Sequence, residues 1–215
     1  MTPTGFIFDL DGVITDTAEY HYRSWQRLAD ELGIPFSRED NDALRGVPRR
    51  RSLELVLKGR TLPEDEMQRL MTLKNDYYRA FLTEVTPDGL LPGVGDFLNA
   101  ARAAGIRIGL GSASKNARDV LERLGVMALF DAIGDGNSVT NQKPAPDLFV
   151  WVAGALRLPP ERCVVFEDAE AGIDAAKAGG FWTVGLGPAE RVGHAHRRIN
   201  GFIGVTINDF LPPLM

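Results

Sequence analysis

The stretch Gly-Phe-Ile-Phe-Asp-Leu-Asp-Gly, residues 5–12, decides the fold class of this chain. Its opening residues are apolar without alternation, which predicts a short strand buried on both faces of a parallel sheet. Asp9 and Asp11 follow at once, and side chains two residues apart on an extended chain lie on the same face. Because two carboxylates on one face repel each other, the pair predicts a divalent cation beside them or a proton on one of them. Taken alone, Asp-x-Asp-Gly would also fit a simple turn.

Outside residues 16–88, strand patterns alternate with helix patterns. Short apolar runs predict three further strands, at 106–110, 162–166 and 181–185. Helical patterns that end at glycine or before proline predict helices over 94–104, 116–124, 146–158 and 169–178. This alternation predicts an α/β fold whose core is a doubly wound, Rossmann-like parallel sheet.

Residues 16–88 interrupt that alternation. They contain four consecutive helical patterns, at 17–32, 38–45, 50–58 and 64–84. Leucines recur in them at helical spacing, which is typical of the core of a small bundle. We therefore predict two domains, an α/β catalytic core domain formed by residues 1–15 and 89–215 and an inserted four-helix cap domain formed by residues 16–88.

Composition narrows the class of partner. The net charge of −5 argues against nucleic acid, because binding to a phosphate backbone needs an excess of basic side chains. No apolar run approaches the roughly 20 residues that span a bilayer. We therefore expect no membrane partner and a cytoplasmic location, and we expect the chain to be a monomer. Cys163, the single cysteine, lies in an apolar strand pattern and is expected to be a packed side chain rather than a nucleophile.

Polar motifs lie at the ends of the predicted strands or in the adjoining loops. They are the loop 112–116 (Ser-Ala-Ser-Lys-Asn), Lys143 in a Lys-Pro-Ala-Pro stretch, and the pair Glu167 and Asp168. In a parallel sheet the carboxyl ends of the strands meet at one edge, where ligands bind. Hydroxyls, a lysine and carboxylates gathered at one edge predict a site for phosphate and magnesium.

Each motif also has a simpler interpretation. The serines could cap the next helix, since their hydroxyls accept from free helical N–H groups. Lys-Pro-Ala-Pro could be an extended linker. Glu167 and Asp168 could only favour the positive end of the following helix. Several such motifs, each placed after a strand, favour one shared site over a set of unrelated caps and turns.

In this order, the motifs resemble those of the haloacid dehalogenase superfamily of phosphotransferases. The resemblance extends over the full length of the chain, including the insertion. In the core it is carried by residues 8–21 (FDLDGVITDTAEYH), 112–116, 143–147 (KPAPD) and 167–173. In the insertion, Leu44-Arg-Gly-Val47, Arg49 and Lys74-Asn-Asp76 resemble the branch of the superfamily that isomerises hexose phosphates.

The resemblance implies a role for each acidic residue. Asp9 would be the nucleophile that forms an aspartyl-phosphate, and Asp11 would be the general acid and base. Mg²⁺ would be the cofactor, bound by Asp9, Glu167, Asp168 and the main-chain carbonyl of Asp11.

The resemblance also implies two sets of phosphate contacts. The transferring phosphoryl group would be bound by Lys143, Ser112 and Ala113. A second phosphate would be bound by Arg49, Ser114, Lys115 and Asn116, because guanidinium suits forked phosphate contacts. We expect at least two of the four cap arginines, Arg45, Arg49, Arg50 and Arg51, to be ordinary solvated side chains. The bond between Lys143 and Pro144 would be cis.

The sugar would be bound by residues of the cap. The resemblance assigns His21, one turn after Thr17, to a link between the cap, Asp11 and the substrate, and Lys74 to a sugar hydroxyl. Gly46 and Val47 would line the sugar pocket through their backbone. Trp25 is interpreted as part of the cap core. One position departs from the family, since Pro48 stands where a serine is usual and removes a hydroxyl and an N–H from the sugar pocket.

The predicted function is that of a Mg²⁺-dependent phosphosugar mutase. It would interconvert β-D-glucose 1-phosphate and glucose 6-phosphate through an aspartyl-phosphate and a glucose 1,6-bisphosphate intermediate. The alternative is a sugar-phosphate phosphatase of the same superfamily, since both enzymes use the same core motifs. In either case the partner is a small-molecule sugar phosphate. A sugar-phosphate-binding regulator without turnover is disfavoured because every catalytic carboxylate is present.

Overall fold

The computed structural model describes residues 4–44 and 47–210. The chain divides into two compact units: Met1–Asp16 with Thr86–Met215, here called the core unit, and Thr17–Val85, here called the cap unit. The predicted boundaries, after residues 15 and 88, lie one and three residues from the observed ones.

The core unit is built on a six-stranded parallel sheet. Its strands, in chain order, are β1 (Gly5–Phe8), β2 (Arg107–Gly111), β3 (Ala132–Gly134), β4 (Cys163–Glu167), β5 (Trp182–Leu186) and β6 (Arg197–Ile199). They lie side by side in the order β3-β2-β1-β4-β5-β6. The order reverses direction between β1 and β4, and in open α/β sheets such a reversal is where ligands bind. The predicted α/β, doubly wound fold is confirmed.

The four predicted strands are found within one residue of their expected ends. The strands β3 and β6 were not predicted. Each has only three residues, which is too short to establish a pattern of its own. They complete the sheet beyond β2 and beyond β5.

The predicted helices are present, but several of them begin or end at other residues than predicted. Those of the cap unit are α1 (Ala18–Glu31), α2 (Arg38–Asp42), α3 (Arg49–Val56) and α4 (Glu64–Phe81). Those of the core unit are α5 (Val94–Ala103), α6 (Ala117–Arg123), α7 (Asp147–Ala155), α8 (Glu170–Ala178) and the short α9 (Ala189–Val192), which was not predicted. No helix within the two described ranges is both long enough and apolar enough to cross a membrane.

The central strand β1 is buried on both faces, as its sequence predicts. Ile7 belongs to a cluster with Phe149 of α7 and Val165 of β4. Its neighbour Phe8 points the other way and stacks on Phe166, with ring centroids 4.7 Å apart. Cys163 lies in the same cluster as Ile7, and burial raises the pKa of its thiol to about 12. The expectation of a packed cysteine is confirmed.

The cap unit has a core of its own. Its buried side chains come from α1, α3, α4 and the segments between them, and they include Trp25, Leu28, Leu53 and Leu70. The interpretation of Trp25 as a core residue is confirmed. The short α2 begins with a capping box, in which Ser37 and Asp40 each accept the other's backbone N–H.

Candidate active site

Three carboxylates of the core unit meet where the central strands end. Asp9 directly follows β1, and its N–H donates to the carbonyl of Phe166 in β4 at 2.9 Å. That pairing places Asp9 beside Glu167, the last residue of β4, and Asp168 comes next. One oxygen atom from each of Asp9, Glu167 and Asp168 lies within 4.8 Å of the others, and all three residues are buried.

A buried lysine joins two of these carboxylates. The Lys143 Nζ lies 2.6 Å from Asp9 Oδ1 and 2.8 Å from Glu167 Oε2. Burial disfavours the charge on Lys143, but the two carboxylates outweigh it and raise its pKa, so the ammonium stays charged. Burial, and then repulsion by Asp9, raises the pKa of Glu167 to about 8. The bond between Lys143 and Pro144 is cis, as expected.

The acidic cluster fits a divalent metal ion. Its three carboxylates face the Lys143 ammonium and the Arg191 guanidinium, whose Nη2 lies 3.6 Å from Asp168 Oδ2. Negative charge is crowded here, as the raised pKa of Glu167 indicates, and hard divalent cations prefer carboxylate oxygens. Glycines make room for the cluster: a methyl group on Gly12 would overlap the Asp168 carboxylate, and one on Gly172 would overlap that of Glu167.

Asp11 lies in the tight turn after Asp9. Gly12, at a φ of +80°, bends the chain there, and its N–H donates to Thr15 O at 2.7 Å. The side chain of Asp11 is half-buried. Its carboxylate is not part of the acidic cluster found among the described residues, so its expected metal contact through the main-chain carbonyl stays a prediction.

The loop after β2 is held in place by its own serines and by a neighbouring loop. Ser112 is buried, and its Oγ accepts from Ser114 N at 3.1 Å. The Ser114 Oγ in turn accepts from Asn116 N at 3.2 Å, within the loop; Asn116 is the residue that precedes α6, and no side chain of the described residues caps that helix, so the capping interpretation of these serines is wrong. Gly136 N donates to Ser114 O at 3.1 Å. Of the other predicted residues in this loop, Ala113 is half-buried and Lys115 is exposed.

In the cap unit, a buried lysine contacts a half-buried histidine. Lys74 is 3 % exposed, and its Nζ lies 2.9 Å from His21 Nδ1. The His21 ring stacks on Tyr78 at 4.2 Å, and the Lys74 ammonium lies 4.8 Å from the centre of the Trp25 ring. Because an ammonium only donates, Nδ1 must accept, which places the imidazole proton on Nε2. Thr17, fully buried, accepts the His21 backbone N–H at 3.0 Å.

The imidazole of His21 is neutral at physiological pH. Desolvation among its packed neighbours, and then the positive charges of Lys74 and Arg49, hold its pKa well below the usual value near 6.5. The cap unit therefore brings together two cations and a neutral hydrogen-bond donor.

Arg49 differs from the arginines that follow it. It is half-buried at the start of α3, and its Nη2 donates to Asn75 Oδ1 at 2.9 Å. Arg50 and Arg51 are exposed and pair with Glu64 and Glu54, at 2.6 Å and 3.0 Å. The expectation that at least two of these arginines are solvated is confirmed.

The remaining predicted cap residues lie at the start of α3. Arg45 and Gly46 fall outside the described residues. Val47 is half-buried, and its carbonyl accepts from Ser52 Oγ at 3.2 Å. Pro48 is the residue that precedes α3, and its carbonyl accepts from Ser52 N at 2.9 Å.

Sequence reasoning missed three residues of these two groups. Arg191 follows β5, a strand-end position that the same reasoning would have searched. Asn75 lies inside the motif Lys74-Asn-Asp76, and Tyr78 lies one helical turn after Lys74. Their contacts to Arg49 and His21 join residues far apart in sequence, which no local pattern encodes.

The comparisons with known proteins agree with this geometry. A model of the haloacid dehalogenase-like hydrolase family matches residues 3–180. The chain is 43% identical to a β-phosphoglucomutase of Bacillus subtilis (strain 168), over 86% of this chain and 83% of that protein. It is 34% identical to a fructose-1-phosphate phosphatase of Escherichia coli (strain K12), over 82% of this chain and 93% of that protein.

A solved structure is similar over almost the whole chain. It is that of a β-phosphoglucomutase from Clostridium difficile, with a TM-score of 0.92 and 38% identity, covering 96% of this chain and 95% of that one. The predicted resemblance to the superfamily, and within it to mutases of hexose phosphates, is confirmed. The chain belongs to the haloacid dehalogenase superfamily and is an enzyme of that superfamily, related to phosphosugar mutases and phosphosugar phosphatases.

Proposed function

We propose that this enzyme is a Mg²⁺-dependent phosphosugar mutase that interconverts β-D-glucose 1-phosphate and glucose 6-phosphate. One observation carries the proposal. In addition to Lys143 in the core unit, the cap unit has a second cationic group, formed by Arg49 and Lys74 around a neutral His21. A mutase passes through a bisphosphate and must bind two phosphates at once, whereas hydrolysis of a monophosphate requires only one.

In this proposal Asp9 is the nucleophile. The phosphorylated Asp9 carboxylate gives its phosphoryl group to the 6-hydroxyl of β-glucose 1-phosphate, which forms the 1,6-bisphosphate and frees the carboxylate. After the bisphosphate turns round, an Asp9 oxygen attacks the phosphorus at C1, and the bond from phosphorus to the sugar oxygen breaks. Glucose 6-phosphate leaves, and the aspartyl-phosphate is restored. Splitting the transfer into two steps in this way is ordinary covalent catalysis.

Asp11 handles the proton in both steps. As a carboxylate it takes the proton of the attacking 6-hydroxyl, and as a carboxylic acid it gives that proton to the departing C1 oxygen. Its place two residues after the nucleophile, on a turn fixed by Gly12, supports this assignment.

Positive charge must offset the repulsion between the phosphate and the Asp9 carboxylate. The Lys143 ammonium, already in contact with Asp9, supplies part of it. We propose Mg²⁺ as the metal of the acidic cluster, held by Asp9, Glu167, Asp168 and the Asp11 carbonyl; when bound, it supplies further positive charge at the transferring group. Ser112 and the Ala113 N–H would be additional donors to that group.

The cap unit would bind the rest of the substrate. Arg49 would bind the second phosphate, together with Ser114, Lys115 and Asn116. Lys74 would donate to a sugar hydroxyl, and Nε2–H of His21 supports its assignment as a donor to the substrate or to Asp11. Thr17, Gly46 and Val47 would also contribute to binding of the sugar.

A phosphatase is the second candidate, favoured by the 34% identity to the fructose-1-phosphate phosphatase of E. coli. The two functions differ in what accepts the phosphoryl group from Asp9, a sugar hydroxyl or water. Pro48 removes a hydroxyl from the proposed sugar pocket, so the pocket residues alone do not identify the sugar. We propose glucose phosphates as substrates because of the similarity to the β-phosphoglucomutase of Bacillus subtilis.

Product analysis separates the two. The enzyme is incubated with β-glucose 1-phosphate, Mg²⁺ and a trace of glucose 1,6-bisphosphate, and phosphorus NMR follows the products. Glucose 6-phosphate as the main product supports the mutase. Inorganic phosphate as the main product contradicts it and identifies a phosphatase. Two further expectations accompany this proposal: a monomer, checked by sedimentation, and a cytoplasmic location, checked by fractionation.

A further inference from the structure

The arginines of the cap unit have two kinds of partner. Several arginines near the surface pair with glutamates through two of their nitrogens. These pairs are Arg23 with Glu84, Arg38 with Glu19, Arg50 with Glu64, and Arg69 with Glu66, the last through Nε and one terminal nitrogen. In each pair the carboxylate cancels the charge of the guanidinium.

Arg49 has a neutral partner instead. Its Nη2 donates to the carboxamide oxygen of Asn75 at 2.9 Å, and within residues 4–44 and 47–210 no carboxylate forms an ion pair with it. Arg49 begins α3, and Asn75 lies in the middle of α4, so both ends of the contact are on helices.

A neutral partner has a particular consequence for Arg49. The amide oxygen fixes the orientation of the guanidinium, which carries five N–H donors, but it leaves the charge uncompensated. Burial lowers the pKa of Arg49, which shows that a half-buried, uncompensated cation is unfavourable in the free protein. Lys74, one residue before Asn75, adds a second cation nearby, and both act on His21. Because this positive charge is not compensated within the protein, the arrangement is suited to binding an anionic ligand.

We propose that Asn75 is a positioning residue that orients Arg49 for the non-transferring phosphate of a sugar bisphosphate while leaving its full charge available to that phosphate. This inference rests on the proposed function, in which Arg49 binds the second phosphate. It assigns to Asn75 a role that depends on its being neutral, and not only on its shape.

The test exploits the equal shape of asparagine and aspartate. Asn75→Asp keeps the contact to Arg49 but turns it into an ion pair, and Asn75→Ala removes the contact. Binding of glucose 1,6-bisphosphate is measured by calorimetry in an Asp9→Asn background, where no phosphoryl group is transferred. We expect Asn75→Asp to weaken binding about tenfold to a hundredfold, as the loss of one charge-assisted phosphate contact would, and Asn75→Ala to weaken it less.

The order of the two effects decides between an electrostatic and a packing role. If Asn75 only fills space, Asn75→Ala must weaken binding at least as much as Asn75→Asp, and that order overturns the proposal. Equal binding in the parent and Asn75→Asp overturns it as well. Gln68→Glu is the matched control, because it adds the same charge to an exposed position of the same helix; it should bind like the parent.

The outcome is separable from that of the proposed function. Free phosphate as the wild-type product, together with weakened binding in Asn75→Asp, would reject the mutase and keep the role of Asn75. Glucose 6-phosphate as the product, with unchanged binding in Asn75→Asp, would keep the mutase and reject the role of Asn75.

Discussion

The two units of this enzyme handle buried charge in opposite ways. In the core unit, Asp9, Glu167 and Asp168 lie close together, Lys143 contacts the first two, and repulsion by Asp9 adds to burial in raising the pKa of Glu167. In the cap unit, Arg49 and Lys74 lie around a neutral histidine, an amide and aromatic rings, so the group that they form is positive. The first group is complementary to a cation and the second to an anion.

Two buried lysines show the contrast most directly. Lys143 lies within hydrogen-bonding distance of two carboxylates, which keep it charged. Lys74 lies near the faces of Trp25 and Tyr78, at 4.8 Å and 5.0 Å, and contacts a histidine nitrogen. The first lysine neutralises charge that is already present in the protein. The second, on our account, serves a ligand.

Removing Lys143 should have the largest effect on stability. Lys143→Met leaves the carboxylates of Asp9 and Glu167 buried without their cation, and breaking such a buried pair costs about 3–5 kcal/mol. Chemical denaturation in the presence of a chelator measures this loss. Addition of Mg²⁺ should restore part of the stability, because a divalent cation can pair with the same carboxylates. A variant as stable as wild type in chelator would show that the acidic cluster is not repulsive.

Neutralising the cap arginines one at a time should separate ligand binding from surface pairing. Arg49→Ala should raise KM for β-glucose 1-phosphate about a hundredfold, since hydrogen bonds to charged groups contribute roughly 1.5–3 kcal/mol. Arg50→Ala removes the exposed ion pair between Arg50 and Glu64, and such pairs contribute roughly 0–1 kcal/mol to stability. Because Arg50 is exposed and already paired with Glu64, Arg50→Ala should leave KM within about twofold of wild type. Steady-state kinetics on both variants makes the comparison, and equal effects would refute the special role of Arg49.

The histidine of the cap unit should make stability depend on pH. The pKa of His21 is lowered in the folded protein, so below pH 6.5 the unfolded chain binds more protons than the folded one. The free energy of unfolding should therefore fall on acidification below that pH, by up to about 1.4 kcal/mol per pH unit, until the folded pKa is reached.

The variant His21→Asn isolates this contribution. Its amide oxygen can still accept from Lys74 but does not titrate. Urea denaturation of both proteins between pH 7 and pH 5 gives the difference, in which the titrations of other groups cancel. The two curves should diverge only below pH 6.5; parallel curves would show that the imidazole is not buried against cations.

The sequence predicted the core unit better than the cap unit, for physical reasons. Central strands such as β1 are buried on both faces, so their apolar runs are visible in isolation. A parallel sheet then gathers whatever follows those strands, which is why Asp9 and Glu167 could be grouped from their positions in the sequence alone. The strands β3 and β6 were not predicted, because each has only three residues, too few to show a periodic pattern.

The cap unit could be predicted only as a set of helices. Helical periodicity shows which side chains are buried together, as for Leu28 and Leu53, but it does not show which polar groups meet. The contacts of Arg49 with Asn75 and of His21 with Lys74 join positions 26 and 53 residues apart. They depend on how α1, α3 and α4 pack, and no local pattern indicates the partner of Arg49.

The central claim is that the phosphoryl group passes through Asp9 in the acidic cluster. Wild-type enzyme is mixed with glucose 1,6-bisphosphate and Mg²⁺, quenched in acid and digested, and mass spectrometry locates the phosphoryl group. We predict it on the peptide that contains Asp9, and we predict no phosphopeptide from Asp9→Asn. A phosphoryl group on any other residue, or one that persists in Asp9→Asn, would contradict the account.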